Sequence, residues 1–179
     1  MSLTDREFWT VIHGMGLGAV FLLAFAGGLA GLYSLRPAFL TVGGIRERLP
    51  RLEWGTGLMA LVAWLTVITG TYIVYPWYRA APPKDATGDA LKAFPRYFLL
   101  ASEKTAEWHT FGMEWKEHVA WIAPILATSV AIVVFYYGRQ LVKEPAIRRA
   151  LMVLFTLAFA AAAIAGVFGA FINKVAPTM

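Results

Sequence analysis

Four long apolar runs, 9–35, 54–75, 118–137 and 150–172, dominate this chain, and none carries Asp, Glu, Lys or Arg. A helix needs about 20 residues to cross about 30 Å of hydrocarbon, and a charge at its centre costs at least about 2.5–3.5 kcal/mol on insertion scales. Each run is long enough. The expectation is an all-α integral membrane protein, a four-transmembrane-helix bundle forming one membrane domain over 1–179. Composition agrees, with 59% hydrophobic and 15% charged residues against about 45–50% and about 25% in a soluble domain. A soluble enzyme is therefore excluded.

Aromatic residues mark the ends of the runs: Phe8 and Trp9, Tyr33, Trp54, Tyr75 with Trp77 and Tyr78, Trp115 and Trp121, and Tyr136 with Tyr137. This is the interfacial belt of bilayer helices. The first run follows Asp5-Arg6-Glu7 and is too long for a signal-peptide core, so it reads as a retained anchor. Between the second and third runs lies one long connection, 76–117, opened by Ala81-Pro82-Pro83. Its apolar stretch Tyr97–Leu100 suits the membrane surface, and 102–117 reads as a helix running into the third span. In that span Pro124 frees the carbonyl of Ala120 and predicts a bend.

The loops joining spans one to two and three to four hold eight basic residues against three carboxylates. The opposite face holds eight of each. Basic density in short loops marks the cytoplasmic side. The termini and the 76–117 loop are thus expected to be extracytoplasmic, in the cytoplasmic (inner) membrane of a bacterium. The net charge of +5 sits in loops, where it sets topology, so nucleic-acid binding is set aside. The chain has no cysteine, which excludes disulfides, thiolate metal sites and covalently attached haem.

His13 lies about one turn into the first span and His118 opens the third, so the two share a depth. Two imidazoles at matched depth on different helices of a bundle are the axial pair that a b-type haem requires. Helical spacing from His13 runs through Gly16, Val20, Ala24, Gly27 and Gly31, so Gly16 and Gly27 offer room for the porphyrin. Glu114, one turn before His118, is placed to accept its second ring N–H. In helix count and histidine placement the architecture resembles small four-helix membrane cytochrome b subunits, without a motif that names a family.

A bundle with no cofactor would use many of the same residues. Gly14/Gly18 and Gly27/Gly31 are small-xxx-small patterns that bring helices together unaided. Thr66, Thr69, Thr71 and Tyr72 form a polar end of the second span, suited to a haem propionate or a quinone carbonyl, but such threonines commonly bond their own backbone. His109 is nine residues from His118, on the opposite side of a regular helix, and joins it in a metal site only if Gly112 breaks that helix. On the basic face, Arg46, Arg48 and Arg51 with Arg148 and Arg149 suit anionic lipid headgroups. No mid-membrane charge marks an ion path.

Three functions follow as expectations. The first is an electron-transfer subunit of a respiratory or photosynthetic complex, with haem b between His13 and His118, exchanging electrons with a quinone or an external redox protein. The second is a cofactor-free accessory or assembly subunit, in contact with other membrane subunits, lipid or pigment. The third is a membrane metalloenzyme using His109, Glu114 and His118 with His13.

Overall fold

The computed structural model describes residues 3–177 and, at Val42, the backbone alone. The chain is helical, and no strand occurs among the described residues. Four helices are long and apolar enough to cross a membrane: α1 (Asp5–Ser34), α2 (Gly43–Arg79), α4 (Glu103–Val142) and α5 (Pro145–Val175). The short α3 (Pro95–Leu100) lies between the second and third of these.

These helices overrun the apolar runs at nearly every end. The connection expected at 76–117 contracts to residues 80–102, because α2 continues through Arg79 and α4 already starts at Glu103. Loss of apolar character ends a membrane run but does not end a helix, whose backbone bonds are satisfied within the segment either way. The helix expected over 102–117 is present, and it is interrupted at residues 120–121 before resuming at Ile122. The break falls where Pro124 removes the N–H that would bond the Ala120 carbonyl.

Local chemistry explains the other ends. Thr4 caps α1 with a reciprocal box: the Glu7 N–H donates to Thr4 Oγ1 at 3.2 Å, and the Thr4 N–H donates to Glu7 Oε2 at 2.8 Å. Gly138, at φ +48, adopts the left-handed conformation that closes the regular part of α4. Pro145 then occupies the first turn of α5, where its missing N–H has no intrahelical partner to lose.

Among the described residues three helices contain a widened π turn: Ile12–Gly16 in α1, Gly70–Val74 in α2 and Trp108–Met113 in α4. Each is closed by an N–H reaching back five residues: Leu17 to Ile12, Tyr75 to Gly70, and Glu114 to His109. Such a turn inserts one residue into the helical period, rotating everything beyond it by about 100°.

The chain divides into two compact units. One comprises Met1–Gly18, Leu65–Trp121 and Ala163–Met179; the other comprises Ala19–Trp64 and Ile122–Ala162. In the second unit α1 approaches α2 closely, with a Cβ built on Gly55 only 3.7 Å from the Gly28 backbone nitrogen. Fully buried Phe155 fills the space left at Gly28, and Phe25 and Phe159 stack at 4.1 Å. The Trp64 indole donates to Thr128 Oγ1 at 3.0 Å, tying α2 to α4. In the first unit Tyr78, Leu99, Met113, Ile172 and Ala176 form the buried cluster. All three π turns belong to the first unit, and so do all three histidines.

Candidate functional site

His13 sits on the π turn of α1 and reaches α2. The Thr69 hydroxyl donates to the Leu65 carbonyl at 2.7 Å, so its oxygen is free to accept from His13 Nδ1–H, 3.2 Å away. The Thr66 backbone also bonds the ring, so two residues of α2 hold the imidazole. The ring rests on Gly70, where an added Cβ would stand 2.6 Å from His13 Cε1 and 3.2 Å from Nε2. Glycine at 70 is therefore a packing requirement. Thr69 bonds its own backbone as expected for a membrane helix, and it serves the imidazole as well.

The residue of α4 whose charge acts on His13 is Lys116. Its stem crosses to α5, where the ammonium lies 2.6 Å from the position a Gly169 Cβ would take. No carboxylate lies within 4.0 Å of that ammonium among the described residues. The neighbouring Glu117 keeps Oε1 buried and without a hydrogen-bond partner among the described residues. The Tyr75 hydroxyl interacts with the Glu117 carboxylate and accepts from Arg79 Nη1 at 2.8 Å. His13, Lys116, Glu117, Tyr75 and Arg79 all belong to the first unit. Of these, the Glu117 Oε1 is the buried atom left without a hydrogen-bond partner among the described residues.

His109 is buried in a separate arrangement. Arg96 Nε donates to its Nε2 at 3.3 Å, which requires the other nitrogen to carry the proton, and Nδ1–H then donates to the Tyr78 hydroxyl at 2.9 Å. Both ring nitrogens are occupied. His109 ties α4 to Tyr78 at the end of α2 and to Arg96 on α3, and it has no lone pair left for a metal.

His118 lies elsewhere. Its Nδ1–H donates to the Glu114 backbone carbonyl at 2.8 Å, while the Glu114 carboxylate stays 4.0 Å away. The carbonyl thus takes the role expected of the Glu114 side chain. The His118 side chain is 74% exposed, with Nε2 unbonded among the described residues. Two residues along a helix is a rotation of about 200°, so with Lys116 turned toward His13, His118 points away from it.

No contact joins His13 and His118 among the described residues: the first packs on Gly70 and the second is exposed. Gly16 and Gly27 do not line an inward stripe with His13 either. The π turn shifts the register below the histidine, both glycines are exposed, and the buried stripe of α1 runs through Phe21, Ala24, Gly28 and Leu32. Among the described residues no three His, Cys, Asp or Glu side chains gather to hold a metal ion. The set of His13, Glu114, His118 and His109 is thus dispersed: one imidazole is saturated by bonds, one faces inward and one faces outward.

Sequence reasoning missed Lys116, Glu117, Gly70, Tyr78 and Arg96. Position in the chain alone groups Lys116 and Glu117 with the solvated charges before the third span, and only the extension of α4 through them turns Lys116 inward. A weak signal exists in Gly70, a glycine among the bulky neighbours Ile68, Tyr72 and Ile73. Comparison of the chain with protein-family models, with curated proteins and with solved structures finds no match.

Proposed function

We propose that this chain is a non-catalytic subunit of a larger membrane complex, docking its first span against a helix of another membrane protein. One observation carries this reading. Cβ atoms built on Gly14 and Gly18 meet nothing within 4 Å, whereas those on Gly28, Gly70 and Gly169 meet neighbours at 2.6–2.7 Å. The chain uses the latter glycines for its own packing and leaves Gly14 and Gly18 open. In lipid, helix association depends on close backbone approach at small residues, which is what an open Gly14/Gly18 face offers.

The reading includes an orientation. The connections 35–42 and 143–144, with the flanking arginines at 46, 48, 51, 139, 148 and 149, lie on the cytoplasmic side, and the termini and residues 80–102 lie outside, in a bacterial inner membrane. A photo-crosslinking amino acid at 14 or 18, compared with one at lipid-facing Leu23, tests the docking face. Discrete crosslinks to another membrane polypeptide from 14 and 18 but not from 23 support it. A purely monomeric pattern at all three positions overturns it.

His118 favours a second reading, a haem-carrying electron-transfer subunit of such a complex. Its Nδ1–H is pinned to a carbonyl and its Nε2 is exposed, the state of a histidine poised to ligate through Nε2. The other axial ligand would come from the partner. Haem would supply reversible one-electron chemistry, and this chain would hold and orient one imidazole. A reduced-minus-oxidised spectrum of the gently purified complex, repeated with His118→Ala, decides. Loss of an α-band in that variant but not in His13→Ala supports this reading, and a colourless complex removes it.

A further inference from the structure

A cavity of about 410 Å³ opens between the end of α1 and the start of α5, lined by Arg36, Arg148 and Arg149 beside Leu32, Pro145 and Met152. Three basic residues therefore line one space. Among the described residues no carboxylate lies within 4.0 Å of any of them. Two arginines in the first turns of α2 differ, since Arg51 pairs with Glu47 at 3.9 Å and Arg48 donates to the Ser34 carbonyl at 3.1 Å.

Arg148 is fixed in the wall. It is 7% exposed, and its Nη1 donates to the carbonyls of Leu141 and Val142, the latter at 2.8 Å. The like charges of Arg36 and Arg149 act on it. The Arg36 guanidinium sits 3.9 Å above the Tyr33 ring, which holds it in place without neutralising it. A buried cation beside two others, unrelieved by a carboxylate, is a strained arrangement that an anion relieves. Arginine's planar fork suits the oxygens of a phosphate, and several forks facing one space bind it better than separate point charges.

The apolar members of the wall bear on which phosphate. Leu32 is fully buried and Met152 half-buried, and both belong to helices apolar enough to cross a membrane. A charged mouth continuous with apolar helix surface fits a molecule with a phosphate at one end and hydrocarbon at the other. We propose that this cavity is a binding site for the phosphate of an anionic phospholipid, held by Arg36, Arg148 and Arg149 with its first methylenes against Met152. The site differs from the one suggested by sequence, since Arg46 and Arg51 stay outside it and Arg36 enters.

The test uses the full-length protein in nanodiscs of phosphatidylcholine with increasing phosphatidylglycerol, and in delipidated detergent solution with inorganic phosphate. Retained lipid is read by native mass spectrometry and the unfolding temperature is followed in parallel. The expected result is selective retention of about one phosphatidylglycerol, weakened about tenfold or more in Arg36→Gln/Arg149→Gln. Arg148 is left intact because it also holds the α4–α5 connection. Arg46→Gln/Arg51→Gln removes the same charge outside the cavity and is expected to retain the lipid. Equal retention of phosphatidylcholine, or equal loss in both double variants, overturns the site. Protection by millimolar inorganic phosphate as strong as that by phosphatidylglycerol overturns the lipid as its occupant.

Discussion

The imidazole of His13 and the missing side chain of Gly70 are two halves of one contact: a methyl group at position 70 would stand 2.6 Å from His13 Cε1. Gly70→Ala is therefore expected to destabilise the protein by about 1–3 kcal/mol, the range for overpacking a filled site. The cause can be isolated. In the His13→Ala background the same change should be nearly neutral, so a double-mutant cycle on thermal unfolding in detergent should give a large coupling. Additive effects would show that the two residues do not touch.

Neighbouring glycines should behave oppositely. A Cβ at Gly28 would lie 2.7 Å from Phe155 Cε1 and Cζ, and one at Gly27 meets nothing within 4 Å. Gly28→Ala is expected to lower stability by about 1–3 kcal/mol. Gly27→Ala should be neutral or raise it by up to about 1 kcal/mol, since alanine is the better helix former. Unfolding temperatures measured in one detergent settle the comparison, and equal effects would disprove the assigned register of α1.

Tyr78 and His109 form a buried hydrogen bond of 2.9 Å. Tyr78→Phe keeps the ring and leaves His109 Nδ1–H without that acceptor, an expected loss of about 1–3 kcal/mol. Hydrogen exchange should then quicken at the α2 end and at α3 together, because His109 also accepts from Arg96 on α3. Unchanged exchange at α3 would count against this linkage.

Asp89 lies in the connection outside the long helices, where Lys92 Nζ stands 2.7 Å from its carboxylate. The hydrogen bond and charge of Lys92 hold the Asp89 carboxyl below the usual carboxylate range. A lowered value in the folded state adds stability above the unfolded value, and that stability is lost as pH falls through the folded one. The pair is exposed and screened, so Lys92→Ala should raise the Asp89 titration midpoint by NMR while leaving the unfolding temperature unchanged. A midpoint that does not move would mean the pair does not persist in solution.

The cysteine-free chain makes the proposed orientation directly measurable. An impermeant maleimide added to intact cells should label Lys84→Cys, and it should label Arg46→Cys only after the membrane is permeabilised. The reverse pattern would invert the topology.

The four membrane-length helices were legible in the sequence because charge-free apolar runs of this length have one favourable state in lipid, and the break at residues 120–121 was legible because Pro124 lacks the N–H that would bridge it. Local features of this kind depend on the chain near them. The placement of the histidines was not legible, because each π turn inserts a residue and rotates the faces beyond it, and the glycines at 14, 16, 70 and 112 permit such a turn without specifying it. Straight helical spacing therefore put Gly16 and Gly27 beside His13, and position along the spans alone paired His13 with His118. Only the tertiary structure determined that His13 packs on Gly70, that Lys116 crosses to Gly169, that Arg96 and Tyr78 occupy His109, and that Arg36 joins Arg148 and Arg149. Those contacts join residues distant in the chain, and helix register combined with close packing selects among them.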